Sequence, residues 1–502
     1  MKLHVSKNDG LWTAAILITA LLLMLPVINS GIWGDEIITY DEAVLGVPVA
    51  ITGKPATFLD IQLVLANLGY HIAGNEPWGI RLPSLLFALG TILFTGKVAN
   101  DLFGREVKYI AMLMTTFSPI LIEFGVEGRP YTALAFWGIA FIYALNKFLE
   151  KETPRHSISL AVIAICGLLT RLTFLGQLAV GGLIYLFHKR GFTRYSLGIL
   201  LITAPFMAKA LIETMMYDGI STKLNDAEGA VNPLNFAIRA IFSFTYGYNT
   251  FLIPEIPKTR NVPISQLVEQ NLWIFVAIGV IALGMLIGFL FVAKKFPRKT
   301  GLLLLFVLVP SVVMVLIAQT GYTIIREKFL IAALGAYLIL LAAIFKELLR
   351  FKIGYLVVGL YGLVIALGFY NFYIHPDTHT RRMLTPELNE FLLSTAEKGD
   401  MLASYETLTR KPVYYTILKT GIATTTIYDE ADNPDQYKAL VNRMLNQSAG
   451  HHIFFVDDTK SRQMKDADGL VIEQLKSQRK WIRKPYGRNF ALYIFESTGR
   501  AR

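Results

Sequence analysis

The sequence predicts a polytopic α-helical membrane protein of about eleven transmembrane helices with a small external α/β domain at its C-terminal end. Three observations predict it. The 502 residues are 54% hydrophobic and 17% charged, and mean hydropathy is +0.47, a balance outside the soluble globular range. Apolar runs close to the roughly 20 residues that cross a bilayer recur along the chain. Clusters of Lys and Arg fall on alternate connections between those runs.

The runs lie at residues 11–28, 82–100, 109–122, 131–145, 157–170, 173–187, 195–212, 272–292, 302–320, 329–344 and 354–373. The fifth and sixth are short and meet at Thr170-Arg171-Leu172. The first follows Lys2 and Lys7 as a secretory signal would, but it is long and Ile28-Asn29-Ser30 is a poor cleavage site, so an uncleaved anchor is expected. Basic groups at Lys2/Lys7, Arg105/Lys108, Lys147/Lys151/Arg155, Lys189/Arg190/Arg194, Lys294/Lys295/Arg298/Lys299 and Lys346/Arg350/Lys352 mark the cytoplasmic connections. Residues 1–374 then form the membrane domain, with external loops 29–81 and 215–265. Residues 375–502 form the external, periplasmic domain of an inner-membrane protein.

Within loop 29–81, residues 59–68 are helical and moderately apolar, suited to lying at the interface. In the tail, strand-like runs at 413–417, 453–456 and 491–495 alternate with helical runs at 386–396 and 434–445, the pattern of a compact α/β module. The net charge of +11 follows from cytoplasmic anchoring, and no nucleic-acid-reading motif accompanies it. The single Cys166 excludes an internal disulfide framework and a Cys-based metal cluster.

Chemistry concentrates at the outer edge. Asp35-Glu36 directly follows the first span, where carboxylates are costly beside lipid. They would either cap an interfacial helix or act as a base. Asp41-Glu42 repeats the pair farther into the loop and reads as a solvated face. Arg81, Glu127, Arg129, Arg171, Lys209, Glu213, Arg326, Glu327 and Lys328 all fall at the outer ends of spans. Each cation alone would snorkel; gathered by a bundle they would make a phosphate site. Lys209 and Glu213 also have the i,i+4 spacing of a simple ion pair. A carboxylate base beside a cationic clamp suits transfer from a lipid phosphate to an external hydroxyl or amine. His375, His379 and His451-His452 lack neighbouring ligands in sequence, while the spare carboxylates leave room for a divalent cation.

The motifs WGDE at 33–36, GNEPWGIRLPS at 74–84, Phe103-Gly104-Arg105, Ser118-Pro119 and Glu127-Gly128-Arg129-Pro130-Tyr131 resemble the GT-C glycosyltransferases. The branch is that of protein O-mannosyltransferases and lipid A aminoarabinose transferases. The resemblance is strongest over residues 30–145. It implies the GT-C fold and an inverting transfer of one sugar from a polyprenyl-phosphate donor to an envelope lipid, glycan or protein acceptor. It implies Asp35 as catalytic base with Glu36 as its partner or as a ligand to an ion or sugar. The family's second acidic or His-Pro-Pro-Leu-type element corresponds to residues 59–63, which lack the prolines and leave Asp60 in the place. Arg129 and Tyr131 match the motif opening the fourth span. Residues 323–330, TIIREKFL, resemble the family's Arg-Tyr-Leu segment, making Arg326 and Lys328 clamp candidates beside Arg81, Arg171 and Lys209. Two other classes compete: a lipid-linked sugar flippase or transporter, which expects mid-membrane charges and an internal repeat, and a non-catalytic envelope sensor or assembly factor.

Overall fold

The computed structural model describes residues 7–29, 36, 39–40, 43, 61–74, 76–189, 191–216, 233–247, 269, 271–319, 327–374, 385–405, 422–427, 433–458, 466, 468–486 and 490–497. The chain divides into two units: one of residues 1–29 and 39–372, the other of 30–38 and 373–502.

The first unit is helical. Its elements are α1 (Lys7–Ile28), α2 (Ile61–Ile72), a 3-10 turn (Pro77–Arg81), α3 (Leu82–Phe103), α4 (Arg105–Thr116), α5 (Pro119–Gly125), α6 (Tyr131–Glu150) and α7 (Pro154–Thr170). A second 3-10 turn (Leu172–Phe174) leads into α8 (Leu175–Lys189), followed by α9 (Arg194–Met216), α10 (Pro233–Tyr246), α11 (Leu272–Lys295) and α12 (Pro297–Gln319). A third 3-10 turn (Glu327–Ala333) opens α13 (Leu334–Leu348), and α14 (Lys352–Ile374) closes the series. Among the described residues, seven helical segments are long and apolar enough to cross a membrane, or eight if α4 and α5 count as one bent span. Each of the eleven runs read from sequence overlaps helix among the described residues. The shortfall lies partly with α7 and α8, at 17 and 15 residues, short of the roughly 20 a full crossing takes.

The third run, expected as one continuous span, is broken by 55° between α4 and α5. Pro119 lacks an amide hydrogen and disfavours helical backbone at the residue before it. Ser118 accordingly sits at φ −73, ψ 114, and Pro119 starts the new helix. The helix read at 59–68 is α2, and its Gln62, Leu63, Ala66, Asn67 and Gly69 are buried. Gly69 lies so close to Gly79 that a Cβ at either would overlap the other's carbonyl. That approach fixes the first 3-10 turn, and with it Arg81.

Packing at the core of the unit depends on α6 and α13. Gly138 of α6 faces the Ala332 backbone, and a Cβ there would overlap the Ala332 carbonyl. Gly335 of α13 receives Ile139 in return. Asp9 near the start of α1 pairs with Lys108 at 2.8 Å and also bonds the Tyr109 hydroxyl. Glu347 holds Lys295 at 3.0 Å and Arg350 at 2.9 Å, tying α11 to α13.

The second unit contains α15 (Thr385–Thr395), β1 (Met401–Ser404), β2 (Ala423–Thr426), α16 (Pro434–Gln447), β3 (Ile453–Asp458), α17 (Leu470–Gln478), β4 (Trp481–Tyr486) and β5 (Phe490–Phe495). The strands form one sheet in the order β2-β1-β3-β5-β4. β1 runs parallel to β2 and β3, while β5 is antiparallel to β3 and β4. Side chains alternate between faces. Met401, Ala403, Ile453 and Phe455 meet α16 and α17 through Leu440, Met444, Val471 and Leu475. Leu402, Phe454, Val456 and Leu492 meet Leu388 and Leu392 of α15. Asp466 caps α17 by accepting from the amides of Leu470 and Val471 at 2.7 and 2.9 Å. Arg479 donates to the carbonyls of His451 and Ser448 at 2.8 and 3.0 Å, and burial lowers its pKa from the ordinary arginine value. The strand read at 413–417 lies outside the described residues.

The Gly138 contact predicts an asymmetric response to alanine. Gly138→Ala is expected to destabilise the purified protein by about 1–3 kcal/mol through overpacking. Gly182→Ala, on an exposed face of α8 with open space around it, should be neutral or stabilise by up to about 1 kcal/mol. Thermal unfolding in detergent compares the two.

Candidate active site

Four of the residues singled out in the sequence come together at one end of the first unit: Arg129, Tyr131, Arg171 and Lys328. Tyr131 is the first residue of α6 and is 1% exposed. It packs against Phe124 with ring centroids 4.5 Å apart and stacks parallel to Phe329 at 6.4 Å. The Lys328 ammonium lies 4.8 Å from the Tyr131 ring centroid and within hydrogen-bonding reach of its hydroxyl. Arg171 places its guanidinium 4.0 Å from the Phe329 ring centroid and 5.6 Å from that of Tyr131. Arg171, Lys328 and Arg129 all act electrostatically on Tyr131. Two guanidinium groups and one ammonium thus surround a buried phenol, with aromatic faces beneath them.

Local structure explains each placement. Arg171 sits in extended backbone between α7 and the second 3-10 turn, with φ −167 and ψ 140. Lys328 and Phe329 belong to the third 3-10 turn, which Gly138 admits against α6. Lys328 is 4% exposed, a burial that ammonium groups accept only when partnered. Arg129 precedes Pro130, the N-cap of α6. Its carbonyl accepts from the Ser84 hydroxyl at 3.2 Å, and Ser84 in turn accepts from the Gln62 amide at 3.1 Å. Its Nη1 donates to Thr39 Oγ1 at 3.3 Å, so this arginine links the first loop to α3 and α6.

Of the other expected residues, some make different contacts and some fall outside the described residues. Arg81 is 2% exposed, and its Nη1 donates to the Ile28 carbonyl at 2.7 Å, closing the last turn of α1. Lys209 is half-buried in α9, and the Glu213 side chain lies outside the described residues. Glu36 is 0% exposed. Asp35, Asp60, Arg326, His375 and His379 lie outside the described residues. His451 and His452 place their Nδ1 atoms 3.8 and 3.7 Å from Asp400 Oδ1. Asp400 accepts from the backbone amides of His452 and Glu397 at 2.8 and 2.7 Å, a loop-fixing role. Among the described residues no group of three His, Cys, Asp or Glu is placed to hold a metal ion.

Glu123 and Gln177 are among the buried polar groups that the sequence alone did not single out. Glu123 on α5 is 5% exposed, and Gln177 on α8 is 0% exposed. The usable signal was a polar side chain inside an apolar run.

This is a multi-pass helical membrane protein with a cation-lined, aromatic-floored site at one end of its bundle. Residues 62–212 match the family of dolichyl-phosphate-mannose-protein mannosyltransferases. That stretch holds Arg81, Arg129, Tyr131, Arg171 and Lys209. The whole chain shares its fold with ArnT from Cupriavidus metallidurans. The apo structure of ArnT is 12% identical and aligns over 97% of this chain and 98% of that one at TM-score 0.52. The structure of ArnT bound to undecaprenyl phosphate is 11% identical and aligns over 98% of each chain, also at TM-score 0.52. No curated protein sequence matches the chain. The chain therefore resembles GT-C glycosyltransferases of the ArnT and protein O-mannosyltransferase branch, in sequence over residues 62–212 and in fold over nearly its full length.

The Ser84 relay predicts a measurable cost. Ser84→Ala removes the bonds to Gln62 and Arg129 together and is expected to lower stability by about 1–3 kcal/mol. Ser84→Thr, which keeps a hydroxyl, should lose less, and thermal unfolding of the purified protein checks both.

Proposed function

We propose that the chain is an inverting glycosyltransferase that moves one sugar from a polyprenyl-phosphate carrier to an acceptor in the cell envelope. The acceptor is a lipid such as lipid A, a glycan or a protein, presented on the external side. The observation that carries this reading is the convergence of Arg129, Arg171 and Lys328 on Tyr131. Guanidinium groups pair with phosphate oxygens in bidentate fashion, and an ammonium adds a point charge. The likeness of residues 62–212 to mannosyltransferases that use a lipid-phosphate sugar supports the same assignment.

In this mechanism Asp35 accepts the proton of the acceptor hydroxyl or amine, and Glu36 supports it. The acceptor heteroatom attacks the anomeric carbon from the side opposite the phosphate. The bond from that carbon to the phosphate oxygen breaks, its electron pair leaves on polyprenyl phosphate, and anomeric configuration inverts. The cations stabilise the charge that grows on the departing oxygen, so no general acid is required. Arg326, two residues before Lys328, joins the clamp, and Asp60 takes the second acidic position of the first loop. Arg81 and Lys209 lend positive potential at the same edge. Residues 375–502 face the periplasm.

Purified full-length protein incubated with labelled polyprenyl-phosphate sugar and envelope fractions should transfer the label covalently. Movement of unchanged lipid across proteoliposomes without transfer would identify a flippase instead. Asp35→Asn is expected to lower turnover by at least about 100-fold while leaving the protein folded; near-normal turnover would remove Asp35 from the base role. Arg326→Ala and Arg171→Ala should each weaken donor binding by about tenfold or more with acceptor KM unchanged. An effect confined to acceptor kinetics would defeat the clamp assignment.

A further inference from the structure

Gln177 is fully buried, and among the described residues neither its Nε2 nor its Oε1 has a hydrogen-bond partner. The Thr173 hydroxyl oxygen is likewise buried and unpartnered. A buried amide left without partners costs stability that a leucine of similar volume would not. A bound partner molecule that reaches both groups would relieve that cost.

Their placement points to where that partner sits. The second 3-10 turn continues directly into α8, so Thr173 and Gln177, four residues apart, share one helical face. They lie about 6 Å apart along the axis, close to the width of a sugar ring. Farther along the same face, Gly181 is filled by Phe141 of α6, and on the neighbouring face Gly176 meets Pro310 of α12. Arg171, two residues before Thr173, is part of the cation cluster at Tyr131, and the second 3-10 turn touches the third, which bears Lys328. One continuous segment therefore carries a cation of the Tyr131 cluster followed by neutral hydrogen-bonding groups.

We propose that Thr173 and Gln177 form the subsite for the sugar of the lipid-phosphate donor, and that the sugar is a neutral, hydroxylated ring. This rests on the transferase reading above. The carboxamide offers two donor hydrogens and an acceptor oxygen, and the threonine hydroxyl does both, which matches adjacent sugar hydroxyls. Residues 172–189 contain no Asp or Glu, so the segment supplies no counter-charge for a sugar ammonium.

The test is equilibrium binding to full-length protein in nanodiscs, using undecaprenyl phosphate, undecaprenyl-phosphate mannose and undecaprenyl-phosphate aminoarabinose. Wild type is expected to bind the mannose lipid at least tenfold more tightly than bare undecaprenyl phosphate, with no such gain for the amino sugar. Gln177→Leu and Thr173→Val should each erase most of that gain while leaving affinity for undecaprenyl phosphate unchanged. Thermal unfolding of Gln177→Leu should be unchanged or higher; if that variant fails to fold, Thr173→Val carries the test. Retention of the full gain in both variants would make Gln177 a core amide bridged by water and overturn the subsite. Equal wild-type affinity for bare and mannose lipids would overturn it too, with the phosphate clamp intact. An equal gain for the amino sugar would overturn the neutral-sugar assignment. Failure of wild type to bind any of the three lipids would overturn the transferase reading itself.

Discussion

The close approach of α6 to the third 3-10 turn, made where Gly138 meets the Ala332 backbone, is the contact on which the site depends. Without it Lys328 and Phe329 would not reach the first turn of α6. Phe329 would then provide no face for Arg171, and Tyr131 would lose both its stacked ring and its nearest cation. A helix that must touch backbone on this side and bury aromatic rings on the others has little freedom to rotate. This packing fixes Lys328 and Arg171 around Tyr131, and charges confined at low dielectric act strongly only when held in place.

Much of the site was legible because its residues violate the local trend. Arg129 and Arg171 stand at ends of apolar runs where snorkelling alone would explain them, and their likeness as a set became visible only through the alternating basic clusters. Tyr131 was legible through the motif around it. Arg81 stands at an equivalent position, and its guanidinium also closes α1. Gln177 was overlooked, since hydropathy averaged over a span hides one amide.

The fold was read with similar success and for similar reasons. Apolar runs located most of the helices, because burial in lipid or in the bundle demands them, but α10, inside the expected loop 215–265, and α17 were not read. The break at Pro119 was missed because a span-length window averages across it, although the proline itself forecasts the kink. In the second unit, the runs at 453–456 and 491–495 showed as strands because they are continuous apolar stretches. β4 did not, because as the edge strand it bears Arg483, Lys484 and Pro485, the residues that keep an edge from pairing further.

The order β2-β1-β3-β5-β4 has a consequence for synthesis on the ribosome. β5 is the last of these strands to be made, yet it lies between β3 and β4. β4 has β5 as its strand partner, so it stays unpaired until residues 490–495 emerge. Closure of the sheet is therefore a late event, and a premature stop just before Phe490 would cost two strands where one is removed.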